Sequence, residues 1–150
     1  MEDCIKAFVG TNTKVWVNGY NDTTNLYTLS NSYSNIEISL KLAFTANGGR
    51  IEFTDSSHYI GVGVGGDGVN RSYYIVTGSE VMQELGNYTA NSEMTIKLIR
   101  EGNTLKSYLN GTLAQSVTNS NVTSSINKIL LRNWNVAKTM TYTDLKVKPL

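Results

Sequence analysis

Two tight-turn signals close together, within residues 94–117, place the strongest constraint on the fold of this chain. The segment reads M-T-I-K-L-I-R-E-G-N-T-L-K-S-Y-L-N-G-T-L-A-Q-S-V. Residues 101–103 (Glu-Gly-Asn) form one turn signal, and Asn110 with Gly111 forms the other. An Asn-Gly pair between alternating apolar residues is typical of a two-residue hairpin turn in which both central residues have positive φ. The segment therefore predicts three antiparallel strands joined by tight turns.

Alternation of apolar and other residues, typical of half-buried strands, recurs along most of the chain. It is cleanest over residues 36–44 and ends at the Asn-Gly-Gly turn signal of residues 47–49. Across the Asn-Gly turn, the same alternation puts Tyr108 on one face with Leu113 and Val117. Further strands are predicted at residues 14–17, 26–30, 50–54, 59–65, 71–77, 126–134 and 139–148. Residues 79–86 are the only candidate for a helical turn, with an extended strand as the alternative. About ten strands without a sustained period of 3.6 residues indicate an all-β sandwich.

The composition favours a folded protein with a polar but weakly charged surface. Hydrophobic residues make up 40% of the 150 residues and charged residues 17%, and the formal net charge is +1. This charge gives no electrostatic basis for binding nucleic acid, and no apolar run is long enough for membrane insertion. Cys4 is the single cysteine, which excludes an intrachain disulfide. The chain has 17 Asn, 14 Ser and 17 Thr, a composition common in extracellular, cell-surface and virion proteins, and we expect one of these locations.

Several of these runs resemble a known group of domains. I-K-L-I-R-E-G-N-T-L-K-S-Y-L-N-G-T-L is similar to the central hairpins of laminin G-like and concanavalin A-like domains. S-N-I-E-I-S-L-K-L resembles their early core strand, and K-I-L-L-R-N-W with Y-T-D-L-K-V-K resembles their closing strands. The resemblance covers residues 34–148 and leaves residues 1–33 unassigned. It implies a two-sheet antiparallel jelly roll over residues 1–150, a single domain and a module of a larger protein.

The same resemblance implies a sugar-binding or adhesion module, although some relatives are glycosidases. Glycosidases need two carboxylates facing each other across a cleft, and catalytic members of the superfamily often carry acidic residues alternating along one strand. The nearest candidates here are Glu52 and Asp55, whose spacing of three puts them on opposite faces of a strand. His58 is the single histidine, and no nucleophile-elbow motif accompanies it. We therefore predict no catalytic residue.

A G-x-G-x-x-G spelling at residues 63–68 precedes a predicted strand and not the helix that dinucleotide binding requires. Asp67, within this glycine-rich loop, is a candidate calcium ligand with Asn70 as its local companion. Calcium takes six to eight oxygens, and two residues supply too few. The sequence therefore predicts no metal site and leaves a calcium cofactor open.

Glycines and aromatic residues suggest where a ligand would bind. Residues 59–65 alternate so that Gly61, Gly63 and Gly65 share a face with Tyr59. Because glycine has no side chain, these residues either leave space on the sheet for a ligand or allow a neighbouring strand or ring to pack closely. Arg, Asn and Trp follow one another at residues 132–134, near the end of another predicted strand. Sugars bind to aromatic rings and to hydrogen-bonding groups of these kinds. Tyr73 and Tyr74 point to opposite faces, so one of them should face outward. The predicted ligand-binding residues are Tyr59, Tyr74, Arg132, Asn133 and Trp134.

These observations predict a non-catalytic binding or adhesion module, with carbohydrate or a cell-surface glycoconjugate as its partner. A structural virion domain of a phage tail or capsid, which would be homo-oligomeric, is the alternative from another class. A small glycoside hydrolase is a third and weaker hypothesis. For the ligand site, the alternative is that the glycines admit another protein layer and Trp134 closes the core.

Overall fold

The structure is a computed structural model that describes residues 11–16, 22–46, 48–54, 59–65, 67–76, 79–120, 126–133 and 138–150. Strands account for all regular secondary structure in these residues. The twelve strands are β1 (Thr11–Trp16), β2 (Asp22–Tyr33), β3 (Asn35–Phe44), β4 (Gly49–Thr54), β5 (Tyr59–Val64), β6 (Val69–Val76), β7 (Ser79–Asn87), β8 (Met94–Glu101), β9 (Thr104–Leu109), β10 (Thr112–Thr118), β11 (Ile126–Asn133) and β12 (Lys138–Pro149). Within these ranges, no helix is long and apolar enough to cross a membrane.

The strands form two six-stranded antiparallel sheets. The first sheet has the order β1-β12-β3-β8-β9-β10, and the second has the order β2-β11-β4-β5-β6-β7. Neighbours such as β3 and β12, or β4 and β11, lie far apart in sequence, so the two sheets are interleaved along the chain. This is the two-sheet jelly-roll sandwich that the sequence predicts.

One hydrophobic core lies between the sheets, and the alternating residues of the central strands build it. The large apolar side chains of β3 are each at most 2% exposed: Ile36, Ile38, Leu40, Leu42 and Phe44. The second sheet contributes Ile60, Val62 and Val64 of β5, which are fully buried. Because each completely buried aliphatic side chain stabilises the fold by about 1.5–3 kcal/mol, this interleaving of two faces supplies the main stabilisation.

Turn chemistry fixes the β8–β9–β10 meander as expected. Asn110 has φ 50° and Gly111 has φ 82°, so both central residues of the predicted hairpin turn have positive φ. Oδ1 of Asn110 also accepts a hydrogen bond from the backbone N–H of Thr95 at 2.9 Å. In the preceding turn Gly102 has φ 58°. The predicted three-stranded segment is confirmed.

The structure contradicts one local prediction and decides between the two alternatives of another. The register between β9 and β10 shifts between Leu113 and Gln115. Leu113 pairs with Tyr108 as predicted, but Val117 pairs with the buried Leu105 and packs against the core. The prediction that Val117 shares the face of Tyr108 is therefore wrong, because the β-bulge adds a residue and reverses the alternation. Residues 79–86 lie within β7, so the extended alternative is the correct one.

Candidate functional site

Three arginines lie in one row on the outer face of the second sheet, the face away from the core. In register, Arg132 of β11 is opposite Arg50 of β4, Arg50 is opposite Gly63 of β5, and Gly63 is opposite Arg71 of β6. They alternate along their strands with core residues such as Ile51, which is fully buried. We call Arg132, Arg50 and Arg71 the arginine row.

Two members of the arginine row hold a buried glutamate. Glu52 follows Arg50 by two residues on β4, so both side chains are on the same face, and it is only 1% exposed. Nε of Arg50 donates to Oε2 of Glu52 at 2.6 Å. Nε and Nη2 of Arg132 both donate to Oε1, at 3.1 and 2.8 Å. We call Arg50, Glu52 and Arg132 the Glu52 clamp; in it, both carboxylate oxygens accept hydrogen bonds from guanidinium groups.

Burying Glu52 costs solvation free energy, and it also orients the two arginines of the Glu52 clamp. A carboxylate removed from water loses several kcal/mol of solvation, which its partners offset only when the geometry is good. Such a buried pair is weak evidence for stability, because apolar residues of similar size often stabilise a fold as well or better. Glu52 thus fixes the orientation of two guanidinium groups on the outer face of the second sheet.

An aromatic ring forms the next part of this face. Tyr73 of β6 is opposite Gly61 of β5, and Gly61 is opposite Glu52. The guanidinium carbon of Arg50 lies 4.8 Å from the centroid of the Tyr73 ring, a cation–π distance. Tyr73 is only 4% exposed, so its ring supports the arginine side chain more than it offers a surface to a ligand.

The glycines of β5 admit the neighbouring strand. A Cβ atom added to Gly63 would lie 2.3 Å from both Arg50 Cβ and the Gly49 carbonyl oxygen. A Cβ atom added to Gly61 would lie 2.5 Å from the Ile51 carbonyl oxygen. Real Cβ atoms do not approach other atoms this closely, so β4 and β5 could not pair as they do with larger residues. The structure therefore agrees better with close packing of β4 against these glycines than with space left open for a ligand.

Arg71, the third member of the row, forms a separate charged cluster. Its Nη1 and Nη2 donate to Oδ1 and Oδ2 of Asp67 at 2.7 and 2.6 Å, and Nη2 also donates to Glu84 Oε1 at 3.0 Å. The hydrogen bonds from Arg71 hold the pKa of the Asp67 carboxyl well below its usual range. Those from Asp67, with a further one from Glu84, raise the pKa of Arg71.

This cluster does not suit calcium. Both oxygens of Asp67 face a guanidinium group, which occupies the position that a cation would take. Nor do the described residues contain a group of three or more His, Cys, Asp or Glu side chains that could hold a metal ion. Since calcium needs six to eight oxygens, Asp67 is better described as the partner of Arg71 than as a calcium ligand.

The structure brings only some of the predicted ligand-binding residues together. Arg132 lies on the outer face as predicted. Asn133, its chain neighbour, is fully buried on the opposite face, because adjacent strand residues point in opposite directions. Tyr73, opposite Gly61, shares the face of the arginine row, and the structure does not describe the side chain of Tyr74. The buried position of Asn133 differs from the predicted outward placement, and the ligand-binding roles of Asn133 and Tyr74 stay predictions.

The structure gives less information on the other two predicted ligand-binding residues, Tyr59 and Trp134. Tyr59 begins β5 in register with Thr54, two residues before Gly61, but the structure does not describe its side chain. Trp134 lies outside the described residues. Their role as ligand-binding residues stays a prediction. Conversely, the sequence analysis missed Arg50 and Tyr73, although the Arg-Ile-Glu spelling of residues 50–52 already places two opposite charges on one strand face.

Comparison with known proteins identifies the fold. No protein-family model matches the chain, and no curated protein matches it. Among solved structures, Bacillus licheniformis beta-glucanase has a TM-score of 0.69 at 14% identity, with 100% of both chains covered. The carbohydrate binding module CBM66 from Bacillus subtilis has a TM-score of 0.60 at 17% identity, covering 94% of this chain and 96% of that one.

A sialidase matches in only one part of its length. Its TM-score is 0.68 at 11% identity, and the match covers 98% of this chain but 18% of the sialidase chain. The chain therefore spans less than a fifth of that protein. The likeness to these structures is one of backbone architecture, and the finer resemblance to laminin G-like domains stays a prediction. The chain has the two-sheet jelly-roll fold that these structures share.

Proposed function

We propose that this protein is a non-catalytic carbohydrate-binding module that uses the outer face of its second sheet. The fold alone does not choose between binding and hydrolysis, because a carbohydrate binding module and a beta-glucanase both have it. The choice depends on the residues that this chain places on the candidate face.

The observation that carries the proposal is the Glu52 clamp. Arg132 retains 33% of its side-chain exposure while Glu52 beneath it is 1% exposed. A guanidinium group held from below by a buried carboxylate is a hydrogen-bond donor already oriented toward solvent. Such preorganisation reduces the entropy lost on binding, and sugar hydroxyls and ring oxygens are suitable acceptors for its remaining N–H groups.

The arrangement of carboxylates argues against hydrolysis. Inverting and retaining glycosidases hold two carboxyl groups about 5–9.5 Å apart. Glu84 on β7 is three strands away from Glu52 on β4, or about 14 Å at the usual spacing of strands. Both oxygens of Glu52 already accept hydrogen bonds from arginines. Among the described residues, the outer face therefore lacks a second carboxylate within catalytic distance of Glu52.

Isothermal titration calorimetry against a panel of oligosaccharides, with a reducing-sugar assay on the same mixtures, tests the proposal. We expect binding in the range of about 4–8 kcal/mol, typical of millimolar to micromolar affinity, and no release of reducing ends. Arg132→Ala should weaken binding at least about tenfold, whereas Lys146→Ala, an exposed change on the first sheet, should not. Cleavage of any glycan, abolished by Glu52→Gln, would favour the glycosidase alternative.

The setting of the module is part of the proposal. Its amide- and hydroxyl-rich composition supports an extracellular or cell-surface location, where glycoconjugates are available as partners. A structural role in a virion is the competing proposal, and it predicts a stable homo-oligomer. Sedimentation of a monomer at micromolar concentration would favour the binding module, and a stable trimer or larger ring would favour the virion role.

A further inference from the structure

The edge strand β10 differs from the other three edge strands in having no charged residue. The first sheet ends at β1 and β10, and the second ends at β2 and β7. Charged residues in an edge strand discourage pairing with a further strand, and the other three edge strands each include at least one: Lys14 in β1, Asp22 in β2 and Glu84 in β7. The segment Thr112–Thr118, which forms β10, contains no charged residue and no proline. Its edge therefore lacks the charged protection of the others.

Alternation of hydrogen bonds along β9 and β10 determines which backbone groups of β10 face away from the sheet. Leu109 and Thr112 close a two-residue hairpin turn, so they form a hydrogen-bonded pair, and such pairs alternate along antiparallel strands. Thr104 and Thr118 therefore form a non-hydrogen-bonded pair, and their hydroxyl oxygens are 2.8 Å apart, since side chains are closer in such pairs. Ser116 and Thr118, both exposed, thus direct their N–H and C=O groups toward solvent. The β-bulge lies earlier in β10 and leaves this part regular.

An uncharged cleft opens beside β10, between the edges of the two sheets. Its volume is about 340 Å³, and its lining residues come from β7 and from the β9–β10 hairpin: Leu85, Leu109, Asn110, Thr112, Leu113 and Ala114. An apolar cavity of about 150 Å³ already holds a benzene molecule, so this cleft is large enough for a leucine or phenylalanine side chain. Leu113 is 50% exposed, and an apolar group in the cleft would remove part of this surface from water.

The edge and the cleft together favour an extended peptide segment as the occupant. Outward N–H and C=O groups that recur every second residue match the backbone of another strand, whose own groups recur with the same spacing. In a strand added to β10, every second side chain would point to the side of the sheet that faces β7, where the cleft lies. Peptides that extend a sheet in this way obtain affinity from backbone hydrogen bonds and specificity from pockets for alternate side chains. A charged side chain would lose its solvation in the cleft without gaining a partner, so the segment should be uncharged.

We propose that β10 binds an extended, uncharged peptide segment of a partner protein, which adds a strand to the first sheet and places a large apolar side chain in the cleft. The backbone groups of Ser116 and Thr118 form hydrogen bonds with the segment, and Leu85, Leu109 and Leu113 contact its apolar side chain. This site does not depend on the proposed carbohydrate-binding function, because that function uses the outer face of the other sheet.

Titration of the isotopically labelled full chain with designed peptides, followed by NMR, tests the proposal on the unaltered protein. The probe is a capped peptide as long as β10, with alternating threonine and valine, one central guest residue, and a lysine added at each end for solubility. The guest is leucine, phenylalanine, alanine or aspartate. We expect the leucine or the phenylalanine peptide to bind at least about tenfold more tightly than the alanine peptide, because the larger side chain buries more apolar surface. The aspartate peptide should bind more weakly still, and the amide shifts should be concentrated at residues 112–118.

Methylation of the peptide backbone distinguishes strand addition from an apolar contact alone. Every second N–H of an added strand faces β10, so N-methylation at alternate positions should weaken binding at least about tenfold. N-methylation at the positions between them should have little effect. An affinity that does not depend on which set of positions is methylated would overturn the proposal.

Two matched variants then locate the site. Leu113→Asp should weaken binding of the leucine peptide at least about tenfold, whereas Leu150→Asp, at a residue outside β10 that is 51% exposed, should leave it unchanged. Equal effects of the two variants, or no binding of any peptide with an apolar guest at up to about 1 mM, would overturn the proposal. Self-association that Leu113→Asp abolishes, found without peptide binding, would assign the edge to a second copy of the chain and would also overturn it. These outcomes leave the carbohydrate-binding proposal unaffected.

Discussion

Glu52 combines two properties that rarely coincide, since it lies on the outer face of a sheet and is yet only 1% exposed. We predict that Glu52→Gln destabilises the protein by about 3 kcal/mol, because it removes the buried carboxylate that accepts hydrogen bonds from both guanidinium groups. Urea unfolding at neutral pH measures the change. Glu37→Gln, on the half-buried outer face of β3, is the matched control and should stay within about 0.5 kcal/mol of the unaltered protein.

A change for Glu52→Gln as small as that of its control would contradict the clamp. It would mean that water, and not the two arginines, compensates the carboxylate. In that case Arg132 would lose its oriented support, and the reason for choosing it as the ligand-binding arginine would disappear.

Asp67 gives a second prediction, in which pH is the variable. Hydrogen bonds from Arg71 lower the pKa of Asp67 in the folded protein. A lowered folded-state pKa contributes stability that is present above the unfolded pKa, about 4, and is lost as the pH falls below it. Asp67→Asn should therefore lower the melting temperature at neutral pH, and the difference should shrink as the pH is lowered from about 4. A difference that stays constant over this range would show that Asp67 contributes through packing alone.

Part of the clamp could be predicted from sequence, and part could not. Arg50 and Glu52 are two residues apart, so strand alternation already places them on one face. Arg132 is 80 residues from Glu52, and it meets Glu52 only because β11 inserts between β2 and β4. That pairing depends on which strand packs most favourably beside β4, and no local sequence pattern encodes this choice. The residue type of Arg132 alone predicts a binding role, and only the structure shows its partner Glu52.

The two glycine-containing elements differ in what they require of their glycines. Gly111 has φ +82° and open space where a Cβ atom would be, whereas Gly63 would place a Cβ atom 2.3 Å from Arg50 Cβ. We predict that Gly111→Ala costs about 1–2 kcal/mol, from left-handed backbone strain alone. Gly63→Ala should cost about 1–3 kcal/mol through overpacking, and should also weaken sugar binding because it displaces Arg50.

Chemical unfolding and calorimetric titration of both variants separate these effects. The Gly111 variant should retain the binding of the unaltered protein, since the hairpin turn is in the first sheet. Equal losses of binding in the two variants would indicate a global effect of stability and would contradict the specific role of the β4–β5 contact in supporting Arg50.

Alternation predicted single strands well and failed where an element departs from ideal geometry. The β3 strand follows its apolar period over its whole length, and the structure buries that face as expected. Val117 was misplaced because a bulge after Leu113 shifts the register, and bulges have no clear sequence signal here. For Tyr73 and Tyr74, alternation indicated that one must face outward, and only the register with β5 decides which one.

For the molecule as a whole, turn spacing and the resemblance of the meander were enough to predict the sandwich. The frequent turns exclude long helices, and the core-forming strands require a second sheet to cover them. What local patterns could not supply is the order of strands, in which β12 lies between β1 and β3. The order decides which side chains meet on the outer face, so the fold class was predictable and the composition of the site was only partly so.

The central claim is that the outer face of the second sheet binds carbohydrate without cleaving it. Titrating an isotopically labelled sample with a panel of oligosaccharides, and following backbone amide signals by NMR, tests it directly. We predict amide shifts concentrated at residues 50–52, 61–63, 71–73 and 130–132. The number of sugar signals should stay the same over time, because the protein does not cleave the sugar. Shifts confined to residues 95–99, 104–108 and 146–148 of the first sheet, or new signals from shorter sugars, would contradict the account.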